Sequence, residues 1–298
     1  MTDRPIRLGT RGSQLALTQS GWVADQLRGL GHTVDLHIIR TTGDRFAEKP
    51  VDQFTGKGVF VAELEHALLR GEIDLAVHSM KDIPGEMAEG LTIACVPVRE
   101  DPRDVLVGRT APTLATLPQG ARLGTSSLRR RVQLHLVRPD LELVDMRGNV
   151  DTRLRKLDEG QYDAICLAAA GLHRLGLGAR ISEYFAPEIV LSAAGQGALA
   201  LQTRTDDAEV ISALAPLHDE ATGLASRSER AVLAALGGGC SVPFGTLATV
   251  KDGCVVLTAV LCSTTSNAVV REELSSSGSP EELGREMAAL LLARGAEM

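Results

Sequence analysis

Arg7-Leu8-Gly9-Thr10 and Arg122-Leu123-Gly124-Thr125 are the same four residues, 115 positions apart. Each copy closes a short apolar stretch, beginning at Ile6 or Ala121. Small polar residues and arginine follow, then a pattern of helical period. After the first copy, Ala16, Val23, Leu27 and Leu30 share a face and Gly31 supplies a stop. After the second, Leu128, Val132 and Leu136 recur at four-residue steps. A second echo lies further along each half: Ile-Asp-Leu-Ala-Val at 73–77 and Asp-Ala-Ile-Cys-Leu at 163–167. Both follow helical stretches, 59–70 and 150–159, and both read as buried strands. Two strand–helix–strand halves in the same order predict two related α/β domains. In such folds, sites form at the carboxyl ends of strands and between paired domains.

The last third reads differently. Ser226 and Glu229 have capping-box spacing ahead of a helix predicted over 230–236, which Gly237-Gly238-Gly239 ends. Alternating segments follow at 245–250, 255–261 and 269–274, and Leu283, Met287 and Leu291 mark a final helix. That pattern predicts a small C-terminal α+β domain, a three-stranded sheet with helices. The stretch 41–58 has Gly43, Pro50, Gly56 and Gly58 and little periodicity, and reads as a long loop of the kind that forms lids.

Composition narrows the function. With 298 residues, 44% hydrophobic and 23% charged, the chain is a folded protein of two or three domains. Aromatics at 3% argue against a stacking platform for nucleic acid, and a net charge of −7 against a general polyanion binder. Yet residues 121–180 hold 11 Lys+Arg against 7 Asp+Glu, an arginine-rich segment that suggests a local anion site. The N-terminus lacks signal-peptide and transit patterns, and no stretch reaches the ~20 apolar residues of a spanning helix, so a cytoplasmic location is expected. Five cysteines without a Cys-x-x-Cys pair predict neither a disulfide framework nor a metal site.

Three places could carry chemistry. Thr125-Ser126-Ser127-Leu128-Arg129-Arg130-Arg131 puts three arginines in a first helical turn, the unfavourable end of the dipole for cations. A solvated charged face is the plain reading. An anion held by backbone N–H groups, serine hydroxyls and guanidinium forks is the sharper one. Arg11 and Ser13 occupy the matching place in the first half, Arg147 and Arg153 open another helix, and Arg174 follows a buried strand. Planar arginines suit a polycarboxylate better than lysines do. His78-Ser79-Met80-Lys81-Asp82 lies at a strand's carboxyl end, where a carboxylate could stabilise a cation and handle protons. Taken alone, His78 reads as a core histidine and Lys81-Asp82 as a surface turn. Cys240 follows three glycines in a loop, whereas Cys95, Cys166, Cys254 and Cys262 sit in apolar, strand-like surroundings. A lone loop cysteine is often incidental, and a reactive role is the alternative.

Together these segments resemble the porphobilinogen deaminase family almost end to end. The resemblance rests on the run from Gly9 to Leu17, Gly56-Lys57-Gly58, Ala76 to Asp82, Arg99 to Asp104, Gly124 to Arg130 and Arg147-Gly148-Asn149-Val150. Leu167 to Gly176, Gly195-Gln196-Gly197-Ala198 and Gly238-Gly239-Cys240 complete it. Gly12 departs from it, where a larger polar residue is expected, and the C-terminus is somewhat short. The resemblance implies two periplasmic-binding-protein-like α/β domains around a cleft and a third domain bearing the cofactor cysteine: 1–97 with 196–216, 101–192 and 220–298. It implies a transferase that joins four porphobilinogen units, with release of ammonia, into hydroxymethylbilane. It also implies a dipyrromethane cofactor, thioether-linked to Cys240, that primes the chain.

By the same resemblance Asp82 is the catalytic carboxylate, and Lys81, Ser127, Arg129, Arg130, Arg147 and Arg153 bind the cofactor. Arg11, Ser13, Arg147, Arg153, Arg174, Lys57 and Gln196 bind substrate, with Lys57 in a mobile segment over the cleft. No nucleic-acid, membrane or metal partner is expected, and the chain is expected to be a monomer. A competing reading is a binding module, two lobes closing on a carboxylate ligand as solute-binding proteins and ligand-sensing regulators do. It leaves the third domain and Cys240 unexplained.

Overall fold

The computed structural model describes residues 4–39, 61–237, 243–263 and 268–295. Along the chain the elements are β1 (Ile6–Thr10), α1 (Gln14–Gly29), β2 (Val34–Ile38), α2 (Ala62–Leu69), β3 (Leu75–Ser79), β4 (Leu91–Cys95) and β5 (Asp104–Gly108). Then come β6 (Arg122–Gly124), α3 (Leu128–Val137), β7 (Glu142–Val144), α4 (Val150–Asp158), β8 (Ala164–Ala168), α5 (Ala169–Arg174) and β9 (Glu183–Tyr184). The rest is β10 (Leu199–Arg204), α6 (Ala208–Leu214), α7 (Glu220–Ala235), β11 (Phe244–Lys251), β12 (Cys254–Cys262), β13 (Val269–Ser276) and α8 (Pro280–Ala293).

These form two units, 1–100 with 198–223 and 101–197 with 224–298. The first holds a five-stranded sheet in the order β2-β1-β3-β10-β4, with β10 antiparallel to both neighbours. The second holds a sheet in the order β7-β6-β8-β5-β9, with β5 antiparallel to both of its neighbours. The two sheets therefore have one plan: three parallel strands, an antiparallel strand, then an edge strand.

The repeated tetrapeptide now has a physical meaning in each sheet. The backbone N–H of Arg7 donates to Asp74 at 3.0 Å, and that of Arg122 donates to Asp163 at 2.8 Å. In return the N–H of Asp74 donates to the Arg7 carbonyl, and that of Asp163 to the Arg122 carbonyl. Leu8 and Leu123 are fully buried. A Cβ on Gly9 would sit 2.3 Å from Ile73 Cδ1, and one on Gly124 2.9 Å from Tyr162 Cδ1. The side chains of Ile73 and Tyr162 can lie across these strands because both residues are glycine.

The second unit also carries the small antiparallel sheet β11-β12-β13, covered by α7 and α8 through Val232, Leu236, Leu283, Met287 and Leu291. This matches the expected α+β layout, but the capping-box reading fails. α7 begins at Glu220, so Ser226 and Glu229 lie inside it. Glu229 is fully buried, and its carboxylate accepts from the backbone N–H of Gly195 at 2.6 Å and of Ala248 at 2.8 Å.

Two expected helix faces also shift. Leu30 lies just past α1 and is exposed. In α3 the buried side chains are Arg129, Arg130, Gln133 and Leu134, while Leu136 is exposed. Polar residues line the inner face of α3 because an acid waits beneath them. Cys95, Cys166 and Cys262 are core residues and Cys254 is partly exposed. Burial pushes the Cys95 thiol up to about 12 and the Cys262 thiol up to about 11.

Candidate functional site

In the first unit, β1 and β3 are parallel neighbours, so the turns that follow them lie side by side. After β1 comes Arg11, then Ser13, whose hydroxyl caps α1 by accepting from the Ala16 N–H at 3.3 Å. A Cβ on Gly12 would meet only Ile38 Cγ2 at 3.7 Å, so the backbone leaves room for the larger residue expected there. After β3 the chain makes one tight turn, Met80–Asp82. Met80 and Ile83 are each 1% exposed, and the Met80 N–H donates to the Ala198 carbonyl at 3.0 Å. Lys81 and Asp82 between them are exposed. The two anchors hold the turn and present the lysine–aspartate pair to solvent. Gln19 of α1 donates to Ser79 at 3.0 Å and ties that helix to the end of β3.

His78 sits beneath this turn, 5% exposed. Gln202 Nε2 donates to the Glu65 carboxylate at 2.8 Å, which fixes the amide and leaves Gln202 Oε1 facing His78 Nε2 at 3.0 Å. His78 Nε2 therefore carries the proton and Nδ1 is the acceptor. Burial drives its pKa down to about 4; the Gln202 hydrogen bond opposes this and nearby Arg11 adds to it.

In the second unit, β6 and β7 are parallel neighbours, and Ser126 stitches their following loops together. Its hydroxyl donates to the Met146 carbonyl at 2.8 Å and accepts from the Met146 N–H at 2.9 Å. Ser127 caps α3, accepting from the Arg130 N–H at 3.4 Å. On the adjacent loop Arg147 and Gly148 precede α4, and Arg153 Nε donates to the Gly148 carbonyl at 2.8 Å. Gly148 has φ +110, and a Cβ there would fall 2.6 Å from Thr152 Cγ2. Ser127, Arg129, Arg147 and Arg153 thus open two neighbouring helices. Arg174, at the end of α5, donates to the Gly197 carbonyl at 2.7 Å.

Arg129 and Arg130 are 7% and 6% exposed, far from the solvated face of the plain reading. Both are held by Asp104, fully buried at the start of β5: Arg129 Nη1 at 2.6 Å, Arg130 Nη2 at 2.6 Å and Arg130 Nε at 3.0 Å. Gln196 is 1% exposed, and its Nε2 donates to Asp104 at 2.9 Å and to the Pro102 carbonyl at 2.7 Å. Burial alone would raise the Asp104 pKa, but the two guanidinium charges outweigh it and hold the group well below the usual carboxylate range. Sequence reasoning passed over Asp104 as a functional residue. The available signal was one acid opening an otherwise apolar strand, Asp104-Val105-Leu106-Val107. Lys57 and Cys240 lie outside the described residues.

Two sheets of one plan, each with serine- and arginine-bearing strand ends, and an exposed lysine–aspartate turn define an α/β protein of two related units. Comparison with known proteins places it further. The model described as "porphobilinogen deaminase, dipyromethane cofactor binding domain" matches residues 6–212, and that of the porphobilinogen deaminase C-terminal domain matches 224–293. A porphobilinogen deaminase from Syntrophobacter fumaroxidans is 50% identical over 301 residues, covering 99% of this chain and 97% of its own. One from Shouchella clausii is 50% identical over 297 residues, covering 98% and 95%. The chain belongs to the porphobilinogen deaminase family and carries that family's cofactor-binding domain. A periplasmic substrate-binding protein of an ABC transporter from Coxiella burnetii aligns at TM-score 0.43 and 16% identity, covering 73% of this chain and 93% of that one.

Proposed function

We propose that this chain joins four porphobilinogen molecules head to tail, releasing ammonia at each addition, and frees hydroxymethylbilane by hydrolysis. The full-length family match carries this reading. The same reading carries the three-domain partition 1–97 with 196–216, 101–192 and 220–298, and a dipyrromethane linked as a thioether to Cys240. When bound, that group supplies the pyrrole end to which units are added.

The residues present fit a group that bears carboxylates. Arg129 and Arg130 are two buried cations compensated by one buried anion, Asp104, which leaves one positive charge to be met. Ser127, Arg147 and Arg153 stand at the same pair of strand ends and, with Lys81, complete the set that holds cofactor carboxylates. Arg11, Ser13, Arg174, Lys57, Arg147 and Arg153 take the carboxylates of incoming substrate. Gln196, buried against Asp104, serves them from behind.

Asp82 is the catalytic group. Its carboxylate stabilises positive charge as ammonia departs and accepts the proton lost from the pyrrole carbon. His78, neutral beneath the turn, adds no competing charge. Among the described residues no helix is long and apolar enough to cross a membrane. A cytoplasmic monomer acting on small molecules is consistent with these features.

Intact-protein mass spectrometry tests the reading. Purified protein should exceed its sequence mass by two linked pyrrole units, and Cys240→Ala should lose that excess together with turnover of porphobilinogen. Protein of unmodified mass that still turns over porphobilinogen would remove the covalent primer from the proposal.

A further inference from the structure

Arg129 and Arg130 are adjacent and chemically identical, yet the structure uses them differently. All the nitrogens of Arg130 are engaged: Nε and Nη2 donate to Asp104 Oδ1, and Nη1 donates to the Cys166 carbonyl at 2.9 Å. Arg129 is anchored through Nη1 alone, which donates to Asp104 Oδ2 at 2.6 Å and to the Leu191 carbonyl at 2.6 Å. The Leu191 strap is itself fixed, because Gln133 Oε1 accepts from the Leu191 N–H at 2.8 Å and Gln133 Nε2 donates to the Leu191 carbonyl at 3.2 Å. Gln196 closes the back of the carboxylate.

We infer that Asp104 is a positioning residue that acts through Arg129: it neutralises and locks Arg130, and it pins one nitrogen of Arg129 so that the rest of that guanidinium meets a ligand carboxylate in a fixed orientation. The charge count supports the division of labour. Two cations and one anion leave a single unit of positive charge, enough for one carboxylate, and Arg129 is the member with donors to offer it. A flexible arginine would have to be ordered on binding, at a cost in side-chain entropy; one pinned beforehand has already lost that freedom. The family resemblance implies that both arginines meet the ligand directly, whereas this geometry assigns one to the ligand and one to the support.

The inference rests on the proposed cofactor reading, and two readouts separate them. Apoprotein is prepared as wild type, Asp104→Glu, Arg129→Gln and the double variant. Porphobilinogen is added, and primer attachment is followed by intact mass, while the exchange of the Arg130 Nε–H is followed by NMR in the same apoproteins. Asp104→Glu keeps the charge balance but moves the carboxylate by one methylene. It should slow attachment at least fivefold and speed Nε–H exchange at least tenfold. In the Arg129→Gln background the same change should slow attachment less than twofold, because the residue through which Asp104 acts is already gone. Equal losses in both backgrounds, or no loss in either, overturn the role given to Asp104. Wild-type apoprotein that gains no primer mass overturns the cofactor reading instead; the exchange measurement then still decides whether Asp104 locks Arg130, and unchanged exchange in Asp104→Glu refutes it.

Discussion

Asp74 accepts both the backbone N–H of Arg7 at 3.0 Å and its guanidinium, through Nη2 at 2.7 Å, so one buried carboxylate fixes both the register and the side chain of β1. Arg4 and Arg204 converge on the same group at 2.7 and 3.1 Å. Replacing Asp74 by Asn leaves three arginines around a neutral amide. The expected cost is about 3 kcal/mol, the lower end for a broken buried pair because Arg4 and Arg7 reach solvent. Urea unfolding of Asp74→Asn checks it; a change under 1 kcal/mol would contradict the account.

Acid should unfold the chain in a defined window. Burial tends to raise Asp74 and Asp104, but arginine hydrogen bonds at Asp74 and arginine charge at Asp104 outweigh it and hold both well below the ordinary carboxylate range. Below about pH 4 the unfolded chain therefore binds protons that the folded chain does not. Their contribution is complete above that range and lost as pH falls through and below it. The advantage of the parent over Asp104→Asn in urea midpoint should hold steady from pH 6 to 5 and shrink steeply from 4 to 3.

His78 should stay neutral wherever the enzyme works. Its folded pKa of about 4 lies below the ordinary value near 6.5, so its ring-proton NMR shift should not move between pH 5.5 and 9. The sign for stability follows: neutral His78 stabilises the fold above about pH 6.5, and this is lost as pH falls from there towards 4. Gln202→Leu removes the acceptor of its Nε2–H and should lower stability; a ring proton titrating near 6.5 in the unaltered protein would show that the imidazole is not buried as described.

Asp82→Asn changes charge without changing shape on a turn whose anchors, Met80 and Ile83, are untouched. Its melting temperature should match the parent within about 2 °C while turnover of porphobilinogen falls at least 100-fold. Turnover within tenfold of the parent would return Asp82 to the surface-turn reading.

Arg131 supplies the contrast within one helix. It pairs with Asp145 at 2.8 Å, with side chains 35% and 71% exposed, a solvated ion pair worth about 0–1 kcal/mol. Arg131→Ala should leave stability and primer loading nearly unchanged, and a tenfold loss of loading would mean that the site extends further along α3 than Arg129.

Much of this was legible. The RLGT repeat marks both central parallel strands, because each of its residues does a local job that leaves a local trace. Strands β11 to β13 and helix α8 follow their apolar periods. What the sequence could not display is pairing over distance. The inner face of α3 is polar because Asp104 lies 25 positions upstream and folds beneath it. Glu229 imitates a capping residue, while its true partners, Gly195 and Ala248, are 34 and 19 positions away. Periodicity ranks faces by apolarity, so it chose Leu136 over Arg130 on a helix whose buried side is ionic.

The antiparallel strands of the two sheets come from opposite ends of their halves: β5 opens its half, whereas β10 closes the other. Every strand of the β5–β9 sheet lies within residues 104–184, but β3 and β4 have no shared neighbour until 199–204 are made. On the ribosome the amino-terminal third therefore emerges first but completes its sheet after the second one. A nascent chain stopped near residue 190 would hold a finished second sheet beside a first one with two raw edges, the form most exposed to mispairing with its neighbours.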